Sequence, residues 1–203
     1  MPAHQLIDID GRRLRREQNR EAVLDALVQL FREGVYQPSS NDIAERAGLS
    51  PRSLFRYFDD VDDLNRAAID RQLAAARPLL DLGVEPSAST SSKIEQLVDA
   101  RVRLFETIAP AARAARVCAH RHPVVAAQLG EGRSYLRHQL RRLFARELEG
   151  DRAAVLPALD SLCSFETYEL LRGDQGLSRA RIVLSLTHAL AVLLDPSAVV
   201  GRA

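Results

Sequence analysis

"SSNDIAERAGLSPRSLFRYF", residues 39–58, holds two short apolar-patterned segments that meet at a glycine. Neither reaches the roughly 12 residues below which an isolated helix is marginal in water. Ser39 and Asp42 have the spacing of a capping box, with Asp in the place of the usual Glu or Gln. Ile43, Ala44 and Ala47 then fall on one face, and Gly48 ends the segment. Ser50 is placed to cap a further helix, with Pro51 at its first position, where a missing N–H costs nothing. Leu54 and Phe58 make its inner stripe, with Phe55 beside it. At about 100° per residue, Arg52 and Arg56 point away from that stripe, Ser53 lies near them, and Tyr57 flanks it.

Two short helices joined by a tight turn containing glycine are the signature of a helix-turn-helix. In that motif the first helix crosses the DNA backbone and the second reads base edges in the major groove. Arginine suits the role because its fork can donate twice to guanine, and serine can reach base edges or phosphate. The competing reading is an ordinary solvated face. The Ser-Pro cap, the shortness of the segment and its position after a small-residue helix weigh against it. Residues 11–58 carry nine arginines and six acids, a local excess of positive charge that the net charge of +1 for the whole chain conceals. Four of them, Arg12, Arg13, Arg15 and Arg16, form "RRLRR", which reads as an arm before the first helix, able to follow a phosphate backbone or enter the minor groove.

Outward from this stretch the period is helical throughout, and no segment alternates as a strand does. Val23, Ala26, Leu27, Leu30 and Phe31 predict a helix over 16–33, stopped by Gly34. A fourth helix is expected from about Asp60 to Leu80, with Leu64, Ala67, Ala68 and Leu73 inside. "LGVEPSASTSS" (82–92) reads as a loop. Ser92 and Glu95 predict a capping box for a helix over about 93–108, with breaks expected at Pro110 and Pro123. Further helices are expected over 124–148, 152–172 and 178–194, the last two joined by "RGDQGLS", with Gly173 as the stop and Ser178 as the next cap. The fold class is all-α: an N-terminal three-helix DNA-binding unit with a helix-turn-helix, plus a C-terminal helical ligand-binding and dimerisation domain. The expected division is 1–58 for the arm and reading head and 59–203 for the body, with helix four (about 60–80) as the link.

The "DIAERAG-S-LFRYF" pattern, preceded by "LVQLFREGVY" and followed by an acidic helix start, resembles the TetR family of bacterial transcription regulators. "SFETYELLRGDQGLSRARIVLSLTHAL" is similar to the paired closing helices of its members. The resemblance is strong over 15–70 and looser through the middle. It implies that Ser39, Ser40 and Asn41 approach phosphate and base edges, and that Pro51, Arg52, Ser53, Phe55, Arg56 and Tyr57 face DNA. Two positions depart from the family's habit. Phe55 stands where a tyrosine hydroxyl commonly binds phosphate, and Val61 stands where a lysine commonly does, amid Asp59, Asp60, Asp62 and Asp63. Fewer phosphate contacts imply weaker binding with a flatter salt dependence, which the arginine arm partly offsets.

The resemblance also implies a homodimer paired through the last two helices, on which Leu159, Leu162, Ile182, Leu186, Leu190 and Leu193 line apolar stripes. It implies a small-molecule effector pocket in the middle helices, for which Arg101, Phe105, Tyr135, Phe165 and Tyr168 are the candidate lining. Effector pockets are mostly apolar with a few polar groups, and each of these side chains also suits an ordinary core. A ligand-released repressor of a near-palindromic operator is the leading reading. The alternative is a helical ligand- or partner-binding protein whose reading head has weakened or lost its DNA affinity.

An enzyme is not expected. "CAHRH" (Cys118, His120, His122) matches no metal-ligand spacing, no nucleophile–base set emerges, and no cofactor is implied. Cys118 and Cys163 lie in apolar patterns and read as buried thiols. No apolar run reaches the roughly 20 residues of a membrane helix and the start resembles no signal peptide, so the expected location is cytoplasmic.

Overall fold

The computed structural model describes residues 3–195, without the side chains of residues 3–12, 73 and 151. The side chain of Leu73, expected inside helix four, therefore lies outside the described residues. Among those residues there are nine α-helices and no strand: α1 (Ala3–Arg32), α2 (Ser40–Arg46), α3 (Pro51–Leu54), α4 (Val61–Ala76), α5 (Thr90–Cys118), α6 (Pro123–Leu143), α7 (Leu156–Leu162), α8 (Phe165–Glu169) and α9 (Arg179–Leu194). The chain forms two compact units. Among the described residues, one runs to residue 75 and includes 108–127, and the other comprises 76–107 and the residues from 128 on, so α5 and α6 each contribute to both.

In the first unit, α1 buries Val23, Leu24, Leu27, Leu30 and Phe31 at helical spacing, against Ile43 and Ala44 of α2 and Leu54 of α3. Phe58, Leu64, Ala68, Ala111 and Ala114 complete the core. Each large side chain buried here is worth about 1.5–3 kcal/mol relative to exposure, which is how α2 and α3 persist at seven and four residues. Gly34 and Gly48 take φ of +86° and +68°, the left-handed turn that ends α1 and separates α2 from α3. Ser39 caps α2 with the full reciprocal box, and Ser50 caps α3 by accepting from the Ser53 amide. Arg46 makes a two-pronged bond to Glu33 at 2.6 and 2.7 Å, tying α2 to the end of α1.

Two expectations fail in this unit. "RRLRR" is not an arm before the first helix, because α1 begins at Ala3 and carries these residues in its first half. Pro110 does not break the chain, because α5 runs through it. Proline removes one intrahelical bond and presses on the carbonyl four residues back. That carbonyl belongs to exposed Glu106, while Ala109, Ala111, Ala112, Ala114 and Ala115 are buried around the proline and hold the helix.

In the second unit, Ile94, Leu97, Val98, Leu140, Phe144, Leu159, Ile182, Leu190 and Leu194 are all almost completely buried. The start of α5 lies earlier than expected: Ser89, not Ser92, is the cap, its hydroxyl accepting from the Ser92 amide. The helix expected over 152–172 is interrupted. A 3₁₀ turn (Gly150–Val155) leads into α7, which stops at Cys163, and α8 starts again after Ser164. Ser164 accepts from the Thr167 amide, and the Thr167 hydroxyl donates to the Ser161 carbonyl at 2.6 Å, so side chains satisfy backbone groups that a continuous helix would pair. A π turn (Leu170–Asp174) follows, and Gly176 rather than Gly173 takes the left-handed conformation before the Ser178 cap.

The chain's one lysine is in this core. Lys93 is 1% exposed, lies 2.8 Å from Glu147 Oε1, and sits over the Phe144 ring. Glu147 also accepts from the Thr90 hydroxyl at 2.8 Å.

Candidate nucleic-acid interface

The first unit offers its DNA candidates in three groups. The first is α3 with the turn after it. Leu54 and Phe58 are 2% and 3% exposed, and Arg52 and Arg56 lie on the exposed side, as the helical wheel predicts. Neither guanidinium group has a hydrogen bond or ion pair to another described residue. Three other arginines of this unit are held by carboxylates: Arg46 by Glu33, Arg66 by Asp63, and Arg71 by Glu21 and Asp25. Arg20 stands over the Phe58 ring at 5.2 Å. Arg52 and Arg56 thus join Arg13, Arg15, Arg16 and Arg32 of α1 as exposed guanidinium groups not held by a described partner.

α3 is shorter than the expected 51–58. Its last turn tightens, with the Arg56 and Tyr57 amides bonding three residues back to Ser53 and Leu54. This leaves Phe55 half exposed (51%), an apolar ring on the same surface as the two arginines. Tyr57 differs from expectation. Its ring packs against the core, and its hydroxyl accepts from Asn19 Nδ2 at 2.9 Å, so it anchors the recognition segment to α1. Ser53 is partly covered and its hydroxyl is 2.8 Å from the Ser50 hydroxyl. Pro51 is exposed.

The second group is the start of α2. The Ser39 hydroxyl is committed to the cap, donating to Asp42 at 2.8 Å. The Ser39 amide and hydroxyl together hold Asp42 below the usual carboxylate range. Ser40 is partly covered and Asn41 exposed, both near the helix's positive end. The third group is in α1. Arg13, Arg15 and Arg16 are exposed; the backbone of Arg12 is helical and its side chain lies outside the described residues.

The Asp-rich segment has a local structural cause. Asp60 accepts from the Asp63 amide at 2.7 Å and so caps α4. Asp63 accepts from Arg66 and from the Asp59 amide, and these bonds lower its pKa. Asp62 lies 2.8 Å from His122 Nδ1. Val61, 37% exposed, is the first residue of α4. The "CAHRH" side chains go separate ways: Cys118 donates to the Tyr36 carbonyl, His120 accepts from Arg121, and His122 faces Asp62.

In the second unit, Phe105, Phe165 and Tyr168 form one aromatic cluster with ring centroids 5.6–6.0 Å apart. Arg101 is buried at 2% exposure; Tyr135 is half exposed at 49%, and so does not wall a buried pocket. Of the expected dimer residues, Leu159, Ile182, Leu186 and Leu190 are buried within the unit's own core, which corrects their assignment to a partner-facing surface, while Leu162 and Leu193 are partly covered. The exposed side of α9 instead carries Leu184 (70%), His188, Ala191 and Val192 (53%). The residues at i, i+4, i+7 and i+8 from Leu184 share a face, so this stripe was legible in the same helical period.

Residues 23–68 match the family model described as bacterial regulatory proteins, tetR family. No curated protein matches the chain. Among solved structures, a tetR-family transcriptional regulator from Streptomyces coelicolor is similar at 21% identity and a TM-score of 0.64, covering 86% of this chain and 81% of that one. A transcriptional regulator from Rhodococcus sp. Rha1 is similar at 18% identity and a TM-score of 0.63, covering 90% and 99%. The fatty acid degradation regulator from Bacillus halodurans is similar at 17% identity and a TM-score of 0.57, covering 84% and 93%. The fold is that of TetR-family transcriptional regulators, and the segment that carries the helix-turn-helix is the one the family model recognises. No helix of the described residues is long and apolar enough to cross a membrane.

Proposed function

We propose that this chain, with a tetR-family reading head at residues 23–68, is a cytoplasmic homodimeric repressor that a small-molecule effector releases from a near-palindromic operator. The observation that carries the reading is the recognition surface: Arg52 and Arg56 exposed and unpaired among the described residues, above an inner face of Leu54 and Phe58 that is buried. Residues 1–58 supply the DNA contacts and 59–203 the effector and dimer functions. Arg52 and Arg56 read base edges, Phe55 packs on a thymine methyl or a sugar, and Ser40, Asn41, Arg13, Arg15 and Arg16 contact phosphate.

One such head buries too little DNA for good specificity, and a two-fold pair reading two half-sites meets that need. The exposed stripe of Leu184, Ala191 and Val192 on α9 supports pairing there. The effector acts by preferring the form of the dimer whose heads are wrongly spaced, and shifts the equilibrium only by that difference in affinity.

The reading is tested by the salt dependence of binding to duplex DNA. Each neutralised phosphate contributes about 0.9 to the log–log slope. A steep slope, reduced when Arg13, Arg15 and Arg16 are replaced together, is expected. Absence of binding at low salt favours the second reading, a helical ligand- or partner-binding protein with a weakened head. The exposed Asp59, Asp60 and Asp62 beside the recognition segment speak for that alternative.

A further inference from the structure

Among the described residues the second unit buries two cations, and they are treated differently. Lys93 has a carboxylate partner, Glu147. Arg101, 2% exposed, has none at ion-pair distance among the described residues. Its Nη1 donates to Gln139 Oε1 at 2.9 Å and its Nη2 to the Leu136 carbonyl at 3.1 Å, both neutral acceptors. Its Nε is buried with no hydrogen-bond partner. The nearby Asp160 acts on it only through space and is itself bound by Arg137 at 2.6 Å. Cys163, beside it, is pushed up to about 12 by burial, so it remains a thiol and supplies no negative charge. Buried charges are normally paired, because desolvation is not repaid by neutral contacts alone.

We propose that Arg101 is the anion-recognition point of the second unit, taking the carboxylate of a small organic acid whose apolar body lies against the Phe105, Phe165 and Tyr168 rings. This deepens the effector reading and rests on it. Phe105 is four residues from Arg101 on α5, so the guanidinium and the aromatic cluster share a helix face. A monoanion balances the one unpaired guanidinium, whereas a phosphate dianion would need a second cation. The planar fork of arginine matches a carboxylate, and its unpartnered Nε supplies a donor for it.

The experiment compares benzoate, phenylacetate and octanoate with their amides, by thermal shift and calorimetric titration on the full chain. At least one acid is expected to raise Tm and to bind about tenfold tighter than its amide. Arg101→Met should erase that acid preference while circular dichroism shows helicity retained, and Arg101→Lys should keep part of it. Equal affinity for acid and amide, or an acid affinity unchanged in Arg101→Met, overturns the inference but leaves a ligand-responsive body standing. If neither acids nor amides bind, the inference and the effector reading both fail. Should Arg101→Met not fold, the acid–amide comparison on the wild-type chain decides alone.

Discussion

Asn19 of α1 donates to the Tyr57 hydroxyl at 2.9 Å, across 38 residues of sequence. The bond fixes the end of the recognition segment to the longest helix of its unit, while the tyrosine ring packs on the core below. Tyr57 is thus first a positioning residue, and the hydroxyl's own proton remains available to a phosphate. Tyr57→Phe removes the acceptor and leaves the part-buried Asn19 amide unsatisfied. It should cost about 0.5–1.5 kcal/mol of stability, read as a lower urea midpoint at unchanged m-value. An unchanged midpoint would show that the bond contributes nothing in solution.

Arg52 and Arg56 lack any described partner, so removing either should cost the fold little, within about 0.5 kcal/mol. On the proposed reading each contributes only when DNA is bound. Arg52→Ala or Arg56→Ala should weaken binding to the selected site by about 1–3 kcal/mol, with Tm unchanged, measured by fluorescence anisotropy at fixed salt. Equal losses on selected and random DNA would reassign that arginine from a base edge to a phosphate.

Lys93 and Glu147 stand or fall together. Glu147→Ala strands the buried Lys93 ammonium and should cost about 3–5 kcal/mol. The double variant Lys93→Met, Glu147→Leu should recover most of that, because it removes both charges. Burial pushes the Glu147 pKa up from 4.5, but the bonds from Lys93 and Thr90 outweigh it and the net shift is downward. A depressed folded-state pKa means stability that is present above the unfolded value and lost as pH falls through the folded one. Wild-type stability should therefore decline on acidification below about pH 4.5, and the double variant should decline less. Parallel pH profiles of denaturation would contradict this.

The proposed pairing face is tested by placing a charge in it. Leu184→Glu on the exposed side of α9 should shift sedimentation equilibrium from dimer to monomer without loss of helicity. Ile182→Glu, on the buried side, should unfold the second unit, since an unpaired charge would enter its core. A Leu184→Glu protein that remains a dimer would place the interface elsewhere.

What the sequence disclosed, and what it withheld, divides along the range of the interactions involved. Ser39 with Asp42, Ser50 with Pro51, Gly34 and Gly48 are local devices whose partners lie within four residues, and they appear where expected. So does the wheel that puts Leu54 and Phe58 inside and Arg52 and Arg56 outside. The continuity of α5 through Pro110 was not legible, because buried alanines around it override a local penalty. Nor was the break at Ser164, where the Ser164 and Thr167 hydroxyls take up backbone groups that a continuous helix would pair. The stripe on α9 had the right period but two possible inner faces, and only packing against the rest of the unit chose Ile182 and Leu190. The buried state of Lys93 and Arg101 depends on Glu147, Gln139 and Leu136, more than 30 residues away, and no local pattern announces it.

The central claim is that two copies of this reading head recognise DNA together, and selection of bound duplexes from a random pool at moderate salt tests it most directly. The account predicts enrichment of a near-palindrome whose half-site spacing gives the separation of the two heads, lost on Arg52→Ala, Arg56→Ala. Failure to enrich any sequence, even at low salt, would contradict it.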